Sequence, residues 1–192
     1  MTPPEPVVAR GLVKVDGGDG TWLLVVLLMG LFIANVDVAV VNVAAPSIRE
    51  LLNASGSELQ LVVSGYVLSY AMLLITGARL GAMYGYRRCF LIGIGVFTVA
   101  SLGCGLAPGP IVLIIARVVQ GIGAALMVPQ VLTGIQLNFS GAARTRALGF
   151  YTVALSIGAV AGQVLGGVLG LLASKHAALR AGLGCYPSIH GR

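Results

Sequence analysis

Apolar residues run along this chain in five long stretches, at about 22–44, 59–81, 89–107, 111–136 and 147–173. Each is close to or longer than the ~20 residues a helix needs to cross the hydrocarbon core of a bilayer. The segments between them are short, which sets successive helices antiparallel in a bundle. The pattern predicts an all-α integral membrane protein with about five transmembrane helices. A cleaved signal peptide is the competing reading of the first stretch, because Arg10 and Lys14 precede it and Val43-Ala44-Ala45 is a weak cleavage pattern. Asp37 inside the run, and the length of the run, argue against it.

Composition agrees with the pattern. Apolar residues make up 57% of the 192 positions and charged residues only 9%, too few to clothe a water-facing surface. The same richness excludes disorder, and the 28 glycines follow no collagen period. The net charge of +6 comes from basic residues scattered thinly, with no stripe to hold nucleic acid, so the lipid bilayer is the expected partner. Cys89, Cys104 and Cys185 are far apart, so neither a disulfide framework nor a thiolate zinc site is expected. His176, Cys185 and His190 lack a fourth metal partner. No catalytic or phosphate-binding motif is present, and neither an enzyme nor a cofactor is expected. The glycan sequons at Asn53 and Asn138 read as chance matches.

Basic residues suggest an orientation. Arg10 and Lys14 precede the first stretch, Arg87 and Arg88 follow the second, and Arg144 and Arg146 follow the fourth. The other two connectors hold one basic residue, Arg49, between them. The chain is therefore expected in the cell membrane as a multi-pass protein with a cytoplasmic N-terminus. Three regions are expected: a cytoplasmic segment at 1–21, the five-helix region at 22–173 and a polar tail at 174–192. Lys175, Arg180 and Arg192 in that tail would sit outside, against the charge rule, and the tail is too polar for a sixth span. Either the fifth stretch does not cross fully, or the tail is not the sequence the scaffold was built to have, and truncation, as by a frameshift, is the expectation.

Polar residues inside the stretches carry the candidate chemistry. All six acids fall in the first 58 positions, and Asp37 alone lies within a span. A carboxylate there is costly unless it is paired or protonated, which makes Asp37 a candidate proton carrier or ion-pair partner. Arg117 shares a helical face with Gln120, Gly121 and Ala124. Its permanent charge needs an acid, carbonyls or water, or else it snorkels to the interface. Both readings stand open for Arg117, whereas snorkelling suffices for Arg79. Gly158, Gly162, Gly166 and Gly170 recur every four residues, and Gly77, Gly81 and Gly85 repeat the device in the second span. Such faces let helix backbones approach closely, so another helix is expected against the fifth. Pro129 is expected to kink or loosen the fourth.

Four motifs resemble those of a known family. Asn35-Val-Asp37-Val-Ala-Val-Val-Asn42-Val-Ala-Ala-Pro46-Ser-Ile48 is similar to the first-helix motif of the fourteen-helix drug:proton antiporters, members of the major facilitator superfamily. Gly77-Ala-Arg79-Leu-Gly81-Ala-Met-Tyr-Gly85-Tyr-Arg87-Arg88 resembles the superfamily's signature loop. Ala116-Arg117-Val-Val-Gln120-Gly121-Ile-Gly123-Ala124-Ala125 resembles the fourth-helix arginine motif, and Gly158-Ala-Val-Ala-Gly162-Gln163-Val-Leu-Gly166-Gly167 the antiporter motif of helix five.

The resemblance implies a partial N-terminal bundle of that fold and proton-driven export of small, amphiphilic, drug-like compounds. It implies proton coupling by Asp37, Arg117 and Gln120, and bending and packing at Gly158, Gly162, Gly166 and Gly167. Departures are Ala82 and Met83, where the loop has an acid and a base, Gln163 in place of proline and Ala39 in place of threonine. The acid helps to lock one end state, so that lock is expected to be weak or missing. The family needs two six-helix bundles, so export by the chain alone is not expected. The glycine face of the fifth helix, without its usual neighbour, is expected to meet lipid or a second copy. The alternative is a small membrane protein that uses its helices to pack against another chain.

Overall fold

Local signals in the sequence set where helices start and stop. The computed structural model describes residues 17–52 and 54–184, and these form five helices: α1 Gly17–Leu52, α2 Gly56–Tyr84, α3 Tyr86–Gly105, α4 Pro110–Asn138 and α5 Gly141–Gly184. Ser55 opens α2 with a capping box. Its hydroxyl accepts from the Glu58 backbone N–H at 3.3 Å, and the Glu58 carboxylate accepts from the Ser55 N–H at 2.8 Å. Pro110 opens α4, where its missing N–H costs nothing. Gly85 is the entire link between α2 and α3, and its φ of 95° is one that side-chain-bearing residues rarely adopt.

All five helices are long and apolar enough to cross a membrane, with mean hydropathy of 1.7 to 2.5 in their most apolar windows. The molecule is a multi-pass membrane protein. Two helices outrun the apolar pattern. α1 continues through Pro46 to Leu52, and α5 continues to Gly184, into the region expected as a polar tail. The residues there, such as Ala177, Ala178, Leu179 and Arg180, are good helix formers, and polarity alone does not end a helix. Cys185 and His190 lie outside the described residues, as does the side chain of His176.

α4 is the central element. Half of its most apolar window is buried (50%), against 17–28% for the other helices. α2 and α3 pack on it, α1 crosses it, and α5 lies along α1. Glycines make each close approach. A Cβ on Gly93 of α3 would sit 2.8 Å from Met127 N, and one on Gly121 of α4 would sit 2.5 Å from the Tyr66 carbonyl of α2. Gly77 of α2 lies directly against the Ala125 carbonyl. That carbonyl is the one Pro129 leaves without its helical donor, so the proline of α4 and the glycine of α2 act as a pair.

The α5 ladder has its partner within the same chain. A Cβ on Gly158 would meet Asn35, one on Gly162 would lie 2.6 Å from both Ala39 Cβ and the Val36 carbonyl, and one on Gly166 would lie 2.8 Å from the Val40 carbonyl. The expectation that this face meets lipid or a second copy is therefore corrected, because α1 covers it. Gly170 touches only Ser47, whose hydroxyl donates to the Gly170 carbonyl at 3.4 Å, and Gly167 faces open space. Gly85 also differs from its expected packing role, since nothing lies near it and it serves as the corner. The core gathers Leu27, Leu31, Phe90, Phe97, Met127 and Ile135 around α4. Large apolar residues such as Trp22, Met72, Ile75 and Leu102 point outward, as lipid requires.

Candidate functional site

Arg117 and Gln120 are three residues apart on α4, so both side chains leave the same face, toward α1. Asp37 on α1 meets them there. Arg117 Nη1 donates to Asp37 Oδ2 at 2.6 Å and to Gln120 Oε1 at 2.7 Å, and Gln120 Nε2 donates to Asp37 Oδ1 at 2.8 Å. The three side chains close a ring in which both carboxylate oxygens are used. Among the described residues this is the one ion pair, with side chains 3% exposed for Arg117 and 18% for Asp37. Burial removes water that would compete, and the paired hydrogen bonds offset the cost of taking two charges out of water. Snorkelling is excluded for Arg117, whereas Arg79 is exposed, as are Arg87 and Arg88.

Two further groups belong to the site. The guanidinium carbon of Arg117 lies 4.9 Å from the centroid of the Tyr66 ring, within cation–π range. Tyr66 stacks in turn on Tyr70, with centroids 6.3 Å apart. Cys104, near the end of α3, approaches Gln120 Oε1 with its Sγ at 3.5 Å. Sequence reasoning named neither as part of the site. Tyr66 carried a usable signal, an aromatic residue in a span that also holds Ser64, Ser69 and Tyr70. Cys104 carried none, because a lone cysteine at a helix end reads as a small apolar residue and the pattern does not say which side chain it meets.

A second polar side chain was also missed. Gln130 of α4 is 1% exposed and donates from Nε2 to the Gly77 carbonyl at 2.8 Å, lying over Gly81. Its Oε1 has no partner among the described residues. Gly77 and Gly81 of the signature motif are thus contact points for α4, whereas the arginines of that motif face outward. Asn138 uses its amide within the fold, donating to the Tyr86 hydroxyl at 3.0 Å and to the Gly134 carbonyl at 2.8 Å.

The profile of the Major Facilitator Superfamily matches residues 27–182. The chain belongs to this superfamily. The chain is 43% identical over 149 residues to the cephamycin export protein of Amycolatopsis lactamdurans, covering 77% of this chain and 31% of that protein. It is 41% identical over 142 residues to the multidrug resistance protein Stp of Mycobacterium tuberculosis, covering 73% and 26%. The methylenomycin A resistance protein of Streptomyces coelicolor is 40% identical over 144 residues, covering 74% and 30%. The chain spans about a quarter to a third of the length of these superfamily relatives. The matched residues 27–182 take in most of the five helices and the Asp37–Arg117 pair.

Proposed function

We propose that this chain supplies five helices of the first bundle of a proton-coupled exporter of small, amphiphilic, drug-like compounds. The observation that carries the proposal is the closed ring of Asp37, Arg117 and Gln120 inside a bundle of membrane-length helices. A carboxylate paired with a fixed cation is a two-state element. Protonation removes the charge that holds Arg117, so α1 and α4 lose their strongest mutual contact, and deprotonation restores it. The names of the relatives support the same class, since they are export and resistance proteins.

Alternating access needs a second bundle rocking against the first around a midplane site. In this reading a second bundle completes the transporter, and the substrate lies between the two. The basic residues Arg87, Arg88, Arg144 and Arg146 support a cytoplasmic N-terminus in the cell membrane, with the α2–α3 corner and the α4–α5 corner on the cytoplasmic side.

The test is efflux of a fluorescent amphiphilic dye from energised cells. The chain is expressed alone and also joined to the remaining length of a relative such as the multidrug resistance protein Stp. The chain alone is expected to give no efflux. The joined protein is expected to export dye until a protonophore is added, and Asp37→Asn is expected to abolish export with membrane levels unchanged. Export that persists in Asp37→Asn would remove the proton role from the site.

A further inference from the structure

Tyrosines in a membrane protein gather at the two water–lipid boundaries, where the ring is apolar and the hydroxyl is wet. Tyr84 and Tyr86 follow that rule at the α2–α3 corner. Tyr70 and Tyr151 break it. Tyr70 is the fifteenth of the 29 residues of α2, its midpoint. Tyr151 lies ten residues past Gly141, which is about 15 Å of rise into α5, or half the ~30 Å hydrocarbon core. Both side chains pack against the core on one side and are half-buried.

The two tyrosines come from helices that are not packing partners, since α5 lies along α1 and α2 along α4. They nevertheless lie within electrostatic reach of each other. Neither hydroxyl has a hydrogen-bond partner among the described residues. A phenol at mid-depth that faced hydrocarbon would forfeit the hydrogen bonds that water or a polar group supplies, so this pair faces a polar occupant rather than lipid. Tyr70 also leads to the ring site. It stacks on Tyr66 with planes 11° apart, and Tyr66, 5% exposed, seats the Arg117 guanidinium 4.9 Å from its centroid. One aromatic side chain separates Tyr70 from the Asp37–Arg117 pair.

We infer that Tyr70 and Tyr151 form a subsite for the planar aromatic part of the exported compound, their hydroxyls donating to a carbonyl or ring-nitrogen acceptor on it. The inference rests on the export function proposed above and narrows its substrate class to aromatic amphiphiles that carry an acceptor. Aromatic rings prefer offset stacking with centroids about 4.5–7 Å apart, the arrangement that Tyr66 and Tyr70 already adopt at 6.3 Å. The ligand adds a third ring to that stack, and Tyr151 supplies a second donor from the opposite helix. The nearby charges of Asp37 and Arg117 are paired with each other, so the subsite selects for planarity and an acceptor rather than for a formal charge.

The probe is doxorubicin, a planar fluorescent molecule with quinone carbonyls, and binding is read by fluorescence polarisation without transport. It is titrated with the purified full chain in lipid nanodiscs and with the joined protein described above. If the joined protein does not assemble, the full chain decides. Tyr70→Phe and Tyr151→Phe keep the rings and the packing, and each is expected to weaken binding about two- to tenfold, the loss of one hydrogen bond. Tyr70→Leu removes the stacking surface as well and is expected to weaken binding further than Tyr70→Phe. Tyr84→Phe, 62% exposed at the corner, is expected to bind as the parent does. No saturable binding by either protein, or binding unchanged in Tyr70→Phe, Tyr151→Phe and Tyr70→Leu, overturns the subsite. An equal loss in Tyr84→Phe overturns it too. Export by the joined protein separates this result from the function beneath it. Tyrosine-dependent binding with an exporting Asp37→Asn keeps the subsite and removes the proton role. Protonophore-sensitive export with binding indifferent to the tyrosines removes the subsite and leaves the exporter.

Discussion

The two faces of α1 are held by opposite means. Toward α4 it presents Asp37, and the contact is a small polar ring with a fixed cation at its centre. Toward α5 it presents Asn35, Val36, Ala39 and Val40, and the contact is a long glycine ladder with backbones in near contact. In lipid no hydrophobic force drives helices together, so packing and hydrogen bonds must do so. The ladder uses packing, which is blind to pH and tolerant of small slides along the helix. The ring uses charge and hydrogen bonds, which fix one register. On the proposed function, the α4 side of α1 is the one that a change of charge at Asp37 would release.

Removing the cation should have the largest effect. Arg117→Leu leaves Asp37 without its partner and is expected to cost about 3–5 kcal/mol, measured by reversible unfolding in mixed detergent and dodecyl sulfate micelles. The double variant Asp37→Asn/Arg117→Leu, in which the asparagine still accepts from Gln120, should recover most of that loss. A double variant as unstable as the single one would mean that Arg117 acts by packing, and the contrast between the two faces would fail.

A side chain inserted into the ladder should have an intermediate effect. Gly162→Leu is expected to cost about 1–3 kcal/mol in the same assay, because its side chain would run into Ala39 and the Val36 carbonyl. Gly167→Leu, five residues further on and facing open space, is expected to stay within about 0.5 kcal/mol of the parent. Equal losses at the two positions would show that the ladder is not the α1 contact.

The smallest effect is expected at Gln130, whose polar contact lies between α2 and α4. Gln130→Leu loses the bond to the Gly77 carbonyl but also removes an unpartnered oxygen, so the net change should lie within about 1 kcal/mol. A loss as large as that of Arg117→Leu would place a second polar lock in the bundle and weaken the distinction drawn for α1.

Much of this arrangement could be read from the chain itself. Apolar length gave all five helices, and polar residues in apolar surroundings singled out Asp37, Arg117 and Gln120. Periodicity assigns a residue to a face but does not say which helix covers that face. Hence the distance from Asp37 to Arg117, eighty positions away in the chain, was not legible, nor was α1 as the partner of the α5 glycines. Spacing also misled where it was regular without being structural. Gly85 continues the series of Gly77 and Gly81 but turns a corner, and Gly167 sits in a glycine motif yet faces nothing. The Pro129 position looked like a simple weakness in α4, and only the neighbouring Gly77 explains how the freed carbonyl is accommodated.

The single-residue corner at Gly85 bears on how α2 and α3 can shift in the bilayer. One residue spans at most about 3.6 Å, far less than the headgroup layer that a crossing helix must clear. The ends of the two helices at this corner are therefore tied at one depth, with Arg87 and Arg88 exposed just past the bend. Neither helix can slide far along its own axis without drawing the other with it.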